Sequence, residues 1–242
     1  VVARGLGTVE DFGIIVVAIG PKALRPALYV ATGKPVVASL ISRTTMEDVV
    51  GPGVERIHAI VLDQPMPRLL NLIQTAIPMA RRIGLLGGPA GMVVLRTLVR
   101  HAQERRLTVS ADAITSSGEV VAALERLVPR MDLLLALPDP MVHNRDTVQP
   151  LLMTTYRAGI PVVAYSESYL HAGATIALFS TPDQIALQTA ETIRQYHEKR
   201  LFSPTIQTPR YFTVGVNVAV ARSLGLSLPP VAELQERLSS LE

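Results

Sequence analysis

Residues 133–179 read LLLALPDPMVHNRDTVQPLLMTTYRAGIPVVAYSESYLHAGATIALF. Three short apolar runs stand in this stretch: Leu133–Leu137, Val162–Tyr165 and Ala174–Phe179. Each ends in a turn, and between the first two lies a helical stripe of Val148, Leu151, Leu152 and Thr155 that fades near Gly159. A run that is apolar at every position has no wet face, so it belongs to a strand covered on both sides. Working outward, the same unit recurs at Ile14–Ile19, Val36–Ile41, Ile57–Leu62 and Ile83–Leu86, and Asp183–Arg200 follows the last run as a helix. Strands of this kind alternating with helices predict an α/β fold of parallel sheets flanked by helices. Ligands of such folds bind beyond the strand carboxyl ends, so the turns are where chemistry is expected.

The intervening helices show one apolar face each. Leu69, Leu70, Ile73 and Ile77 form a stripe ended by Pro78, and Leu95, Leu98, Val99 and Ala102 form another. Ser116 with Glu119 three residues on is a capping box that opens a stripe of Val120, Val121, Leu124, Leu127 and Val128, stopped by Pro129. Asn217 caps a short helix closed by Gly225, and Val231, Leu234, Leu238 and Leu241 give a terminal amphipathic helix.

Three segments leave a strand without a tight Gly-rich turn: Leu62–Pro65, Tyr165–Ser168 and Phe179–Pro182. Read as chain crossings, they predict two hinged lobes with a ligand cleft. One lobe takes residues 1–63 plus 166–179, the other 64–165 plus 180–242.

Composition narrows the class. At 48% hydrophobic and 18% charged residues the chain is globular. No apolar run reaches the length of a membrane span. With no cysteine, disulfides and thiolate metal sites are excluded. Net charge is +3, the basic residues are scattered, and only ten of the 242 residues are aromatic (six Tyr, four Phe, no Trp). A nucleic-acid surface needs a basic stripe and stacking platforms, so no nucleic-acid partner is expected.

Motifs for nucleophilic, phosphate-binding or zinc chemistry are absent from the sequence. His58, His101, His143, His171 and His197 are widely spaced, so they read as surface or capping residues, and no metal or organic cofactor is expected. Gly84–Gly91 is a strand entering a Gly-rich turn; it either offers backbone amides to an anion or is a tight turn needing small residues. Asp139, held between Pro138 and Pro140, is either an acceptor for a ligand or a turn aspartate capping the next segment. The candidate ligand contacts are Gly20, Pro21 and Lys22 after the first strand and Ser42, Arg43 and Thr44 after the second. Asp139 and Met141, then Tyr165, Ser166 and Glu167, complete the set.

Taken in order, several segments resemble the ABC-transporter substrate-binding proteins of type I periplasmic binding fold. They are VVAIGPKALRPALYVATGKPVVASLIS, RLLNLIQTAIPMARRIGLLGGP, the 133–179 stretch with its flank, and FTVGVNVAVARSLGLSLP. The likeness spans roughly residues 12–230. It implies a non-enzymatic, monomeric, exported or periplasmic protein that captures a small ligand and delivers it to membrane transporter components. Two departures stand out. The family's first strand–helix–strand unit is only hinted at by Val1–Val9, which would make this a partial chain. Ser42-Arg43-Thr44-Thr45 replaces the Asp-Pro many members carry after the Pro-Val-Val strand, which puts amino-acid ligands in doubt. The expected ligand is therefore an apolar or amphipathic, lipid-like molecule or an amino acid. Two other classes share the architecture: the effector-binding half of a transcription regulator, and an α/β enzyme.

Overall fold

The computed structural model describes residues 15–51, 57–199 and 204–242; the strand hinted at within Val1–Val9 lies outside them. In chain order the elements begin with β1 (Val16–Ile19), α1 (Pro21–Val30), β2 (Val36–Ile41), α2 (Arg43–Val50), β3 (Ile57–Val61) and α3 (Met66–Ala76). There follow β4 (Arg82–Gly87), α4 (Pro89–Val93), α5 (Leu95–Gln103), β5 (Thr108–Ala113), α6 (Val120–Leu127), β6 (Leu133–Leu135) and α7 (Val148–Arg157). Then come β7 (Val162–Ala164), α8 (Glu167–Ala172), β8 (Ile176–Phe179) and α9 (Pro182–Lys199). The last elements are β9 (Thr205–Gln207), β10 (Thr213–Val216), α10 (Val218–Ser223) and α11 (Val231–Ser239).

Each of the seven apolar runs supplies a strand of a parallel sheet flanked by helices, the α/β architecture expected from them. The chain divides into two compact units, Val1–Asp63 with Ser180–Phe212 and Gln64–Phe179 with Thr213–Glu242. This corrects the expected division. Residues 166–179 belong with the second unit, because β8 is hydrogen-bonded to β7 in parallel register, Val163 opposite Ile176 and Ala164 opposite Ala177. Tyr165–Ser168 is therefore an ordinary strand-to-helix turn inside one sheet. The chain passes between units after Asp63, Phe179 and Phe212. Residues 180–212 join the first unit through α9 and β9, and only Thr213–Glu242 return to the second.

The first unit's sheet has the order β1-β2-β3-β9, all parallel. Its core joins Leu24 and Ala27 of α1 and Met46 of α2 to the buried residues of β2 and β3. Near the end of β2 the register shifts between Ser39 and Ile41, and Leu40 sits at φ 54, in the left-handed region that side chains avoid. The bulge re-aims the chain just before Ser42.

The second unit's sheet has the order β10-β8-β7-β6-β4-β5 and is parallel except for the β10 edge, which runs antiparallel to β8. Leu124 and Leu127 of α6 and Leu151 of α7 are fully buried against it. From β4 the chain goes outward to β5 and then returns to β6 on the other side. The strand order reverses between β4 and β6, and such a switch point opens a crevice at the strand carboxyl ends. Elsewhere in this unit, buried Arg68 of α3 reaches the Glu242 carboxylate and donates to Gln64 Oε1 at 2.7 Å, which ties the chain's last residue to α3.

Candidate ligand-binding site

Asp139 fills the switch point. It is 3% exposed. The Gly88 and Gly91 amides each donate to its Oδ2 at 2.8 Å. The Met141 and Val142 amides donate to Oδ1 at 2.9 and 3.4 Å. A Cβ on Gly91 would stand 2.6 Å from Oδ2, so glycine is what lets the turn close on the carboxylate. The two motifs read separately in the sequence answer each other: the Gly-rich turn presents amides to an anion, and the anion is Asp139. That corrects the expectation of Asp139 as a ligand contact, because both its oxygens are held by the fold. In the same loop, Ser117 donates to the Met141 carbonyl at 2.8 Å, and Thr147 donates to the Val142 carbonyl at 2.7 Å. The backbone of residues 139–147 is thereby fixed.

This rigid loop presents His143 to the end of β7. His143, Tyr165 and Tyr169 form an aromatic triangle with ring centroids 5.4–5.8 Å apart. His143 Nδ1 lies 3.0 Å from the Tyr169 hydroxyl. Burial pulls the His143 pKa down to about 4, against the opposing charge of Asp139, so the ring is neutral at pH 7. Burial likewise pushes the phenols of Tyr165 and Tyr169 up, and both stay protonated. The triangle walls a pocket of about 640 Å³, with Asn144, Arg145, Gln149 and Ser166 among its other lining residues.

Among the expected contacts of this unit, Tyr165 and Ser166 line the pocket, and Met141 packs against the core beside Gly88. Glu167 is exposed in the first turn of α8 and does not line it. Ser166 is the N-cap of α8, its Oγ accepting from the Tyr169 amide at 3.2 Å. Ser166→Ala should therefore cost about 1 kcal/mol of stability in chemical unfolding, and it should loosen Tyr169 at the same time.

The first unit gathers the other contacts at the carboxyl ends of adjacent strands. Gly20, at φ 79, turns the chain after β1 and donates its amide to the Ser39 carbonyl at 2.8 Å. Pro21 then opens α1 and Lys22 is exposed. After β2, Ser42 caps α2 by accepting from the Thr45 amide at 3.2 Å, and its hydroxyl donates to Thr45 Oγ1 at 2.8 Å. Thr44 Oγ1 lies 3.2 Å from Ser42 Oγ. The Arg43 amide donates to Asp63 Oδ2 at 2.7 Å, while its guanidinium stands 3.8 Å from Glu47. Asp63, at the end of β3, has its pKa raised by burial.

Sequence reasoning missed His143, Tyr169 and Asp63. His143 carries no periodic signal; only its place four residues after the Asp139 turn sets it on the pocket wall. Among the described residues no group of three His, Asp or Glu side chains is arranged to hold a metal ion.

Solved structures share this fold. A ligand-free, open substrate-binding protein with adhesive properties from Clostridium difficile superposes with a TM-score of 0.71 at 18% identity, over 89% of this chain and 75% of that one. The ABC domain from Streptococcus pneumoniae in complex with L-Trp gives a TM-score of 0.67 at 14% identity, over 94% and 80%. A conserved domain protein from Vibrio cholerae gives 0.67 at 20% identity, over 92% and 77%. At these identities the likeness carries the fold alone. No curated protein sequence matches the chain. A family model described as ABC transporter substrate binding protein matches residues 9–227. That span covers nearly the whole sequence, and the family is one of binding proteins rather than enzymes. This chain belongs to the ABC transporter substrate-binding protein family, and with it to the proteins that capture a solute for a transporter.

Proposed function

We propose that this protein captures an amphipathic small molecule, lipid-like or amino-acid-like, outside the cytoplasmic membrane. As a monomer it then hands the molecule to the membrane components of its transporter. The observation that carries the ligand class is the pocket at the end of β7. Tyr165 and Tyr169 offer apolar ring surface, and Asn144, Gln149 and Ser166 supply the few polar groups that fix orientation. In the first unit, Gly20, Pro21, Lys22, Ser42, Arg43 and Thr44 are the proposed contacts, since they cluster where β1 and β2 end. Their hydroxyls and the exposed Lys22 suit a polar end group better than an apolar tail.

Two panels test this, one of L-amino acids and one of short- to long-chain fatty acids, screened by thermal shift and then by calorimetry. At least one compound should bind, and Tyr165→Ala should weaken it roughly tenfold, the usual worth of an aromatic contact face. A ligand whose affinity is unmoved by Tyr165→Ala, or no ligand in either panel, would sink the assignment.

A further inference from the structure

We propose that the amino ends of β4 and β5 form a membrane-contact surface, on which Arg81, Arg82, Arg105 and Arg106 meet the phosphates of anionic phospholipids while Met79 enters the edge of the acyl layer. The inference is independent of which solute the pocket takes. That pocket stands at the carboxyl ends of the same sheet's strands, and the six residues of β4 span about 20 Å from one end to the other. A lipid surface at the amino ends leaves it open.

The fold gathers charges that the sequence scatters. Arg82 stands opposite Thr108 in the β4–β5 register, and the Thr108 amide donates to the Arg81 carbonyl at 2.8 Å. Arg81-Arg82 and Arg105-Arg106 therefore share one edge of the second unit. Arg81, Arg82 and Arg106 are exposed and Arg105 is half-buried. Two of the four charges are answered nearby, Arg82 by Asp132 at 2.7 Å and Arg105 by Glu104 at 3.6 Å. The guanidinium groups of Arg81 and Arg106 have no hydrogen-bond or ion-pair partner among the described residues. Arg106 also sits at φ 57, in the left-handed region where the turn that ends a helix ordinarily takes glycine. An arginine there costs the fold backbone strain and gains it only an outward charge.

Met79 points to lipid in particular. Ile77 and Ala80 are buried, and the Ala80 amide donates to the Ile77 carbonyl at 2.9 Å, so Pro78 and Met79 are the two corners of a tight turn. Just beyond it, Asp132 Oδ2 accepts from the Arg81 and Arg82 amides at 2.8 and 2.9 Å. The backbone is pinned on both sides, and Met79, 87% exposed, is held out in water beside the arginines. An apolar tip flanked by cations suits a membrane interface, where the tip leaves water and the guanidinium groups stay with the headgroups. Guanidinium and phosphate match in geometry as well as in charge. Neither loop carries an aromatic residue on which a nucleic-acid base could stack.

Co-sedimentation with vesicles tests this. At low salt the chain should bind vesicles of phosphatidylcholine and phosphatidylglycerol, mixed about two to one, roughly tenfold or more tighter than pure phosphatidylcholine. Salt at about 0.5 M should release most of it. Arg81→Gln combined with Arg106→Gly should lower binding to the anionic vesicles roughly tenfold. The glycine relaxes the left-handed turn, so this variant should unfold no more readily than wild type, and a lost fold is not the cause of lost binding. Met79→Asp should weaken binding several-fold, and Met79→Leu should keep it. Equal binding to the two kinds of vesicle, no binding of the wild-type chain to the anionic ones, or a double variant that binds like wild type overturns the inference. If heparin, a soluble polyanion, binds as tightly as the vesicles and Met79→Asp changes neither, the patch is a general anion surface and the lipid assignment falls.

Discussion

Asp139→Ala should lower the stability of the second unit by about 3–5 kcal/mol, read by urea unfolding under circular dichroism. The carboxylate holds four backbone amides from two loops: Gly88 and Gly91 on Oδ2, Met141 and Val142 on Oδ1. A buried donor left without its acceptor costs roughly 1–3 kcal/mol, somewhat less where water follows. The alanine also removes the negative charge toward which the four amide dipoles point. Asp139→Asn keeps the volume and one acceptor oxygen, but turns an NH₂ toward amides that need an acceptor. It should therefore recover less than half of the loss. Either substitution should weaken ligand binding only through the displaced loop that carries His143. An alanine variant within 1 kcal/mol of wild type would mean that the amides have other partners and that the carboxylate is free for a ligand after all.

Which strands were legible follows from where they lie in the sheets. β2, β3, β4, β6, β7 and β8 are interior strands, nearly every residue of them is buried, and their sequences are continuous apolar runs. β1, β5, β9 and β10 stand at the sheet ends; β1 was still readable because its run is apolar throughout, and the other three were not. Thr108–Ala113 is half-exposed along most of its length, so its side chains need not be apolar and its sequence carries no continuous apolar run. The same blindness misplaced the lobes. Without β9 at the edge of the first sheet, nothing in the sequence drew residues 180–212 there, and the turn after β7 looked like a crossing. Asn217 and the capping-box helix were readable because a cap is a local device. Asn217 Oδ1 accepts from the Val220 amide at 3.1 Å. The box itself does not form as predicted: Glu119 reaches back to the Thr115 amide, and the Ser116 hydroxyl donates to Glu119 Oε1 instead of capping an amide, the first turn being a 3₁₀ turn.

The site was legible in its addresses and not in its partners. Turns at strand carboxyl ends are marked by sequence, and Tyr165 and Ser166 were named from that rule alone. Whether Asp139 faces a ligand or the Gly-rich turn is a question of which loops meet, and 48 residues separate Asp139 from Gly91. His143 was harder still. Its importance comes from one hydroxyl at a distance of 26 residues and from the burial of its far edge, neither of which leaves a local pattern.

That burial gives the second large effect. Between pH 6.5 and about pH 4 the wild-type chain should lose about 2–3 kcal/mol of stability relative to His143→Phe. The folded-state pKa of His143 is about 4, below the ordinary 6.5 of a free imidazole, because burial penalises the imidazolium. Above pH 6.5 the ring is neutral in both states and pH changes nothing. As pH falls through 6.5 the unfolded chain binds a proton that the folded one refuses, and stability drops until the folded ring also protonates near pH 4. Asp63 acts with the opposite sign, since a carboxyl whose pKa burial has raised favours the fold in acid and loses that contribution as pH rises. The lowered carboxyls of Glu119 and Asp132 add a further acid dependence of their own. All three are common to wild type and variant, so the difference between their stability–pH curves isolates the histidine. A difference curve flat from pH 7 to pH 4 would show the ring of His143 open to solvent.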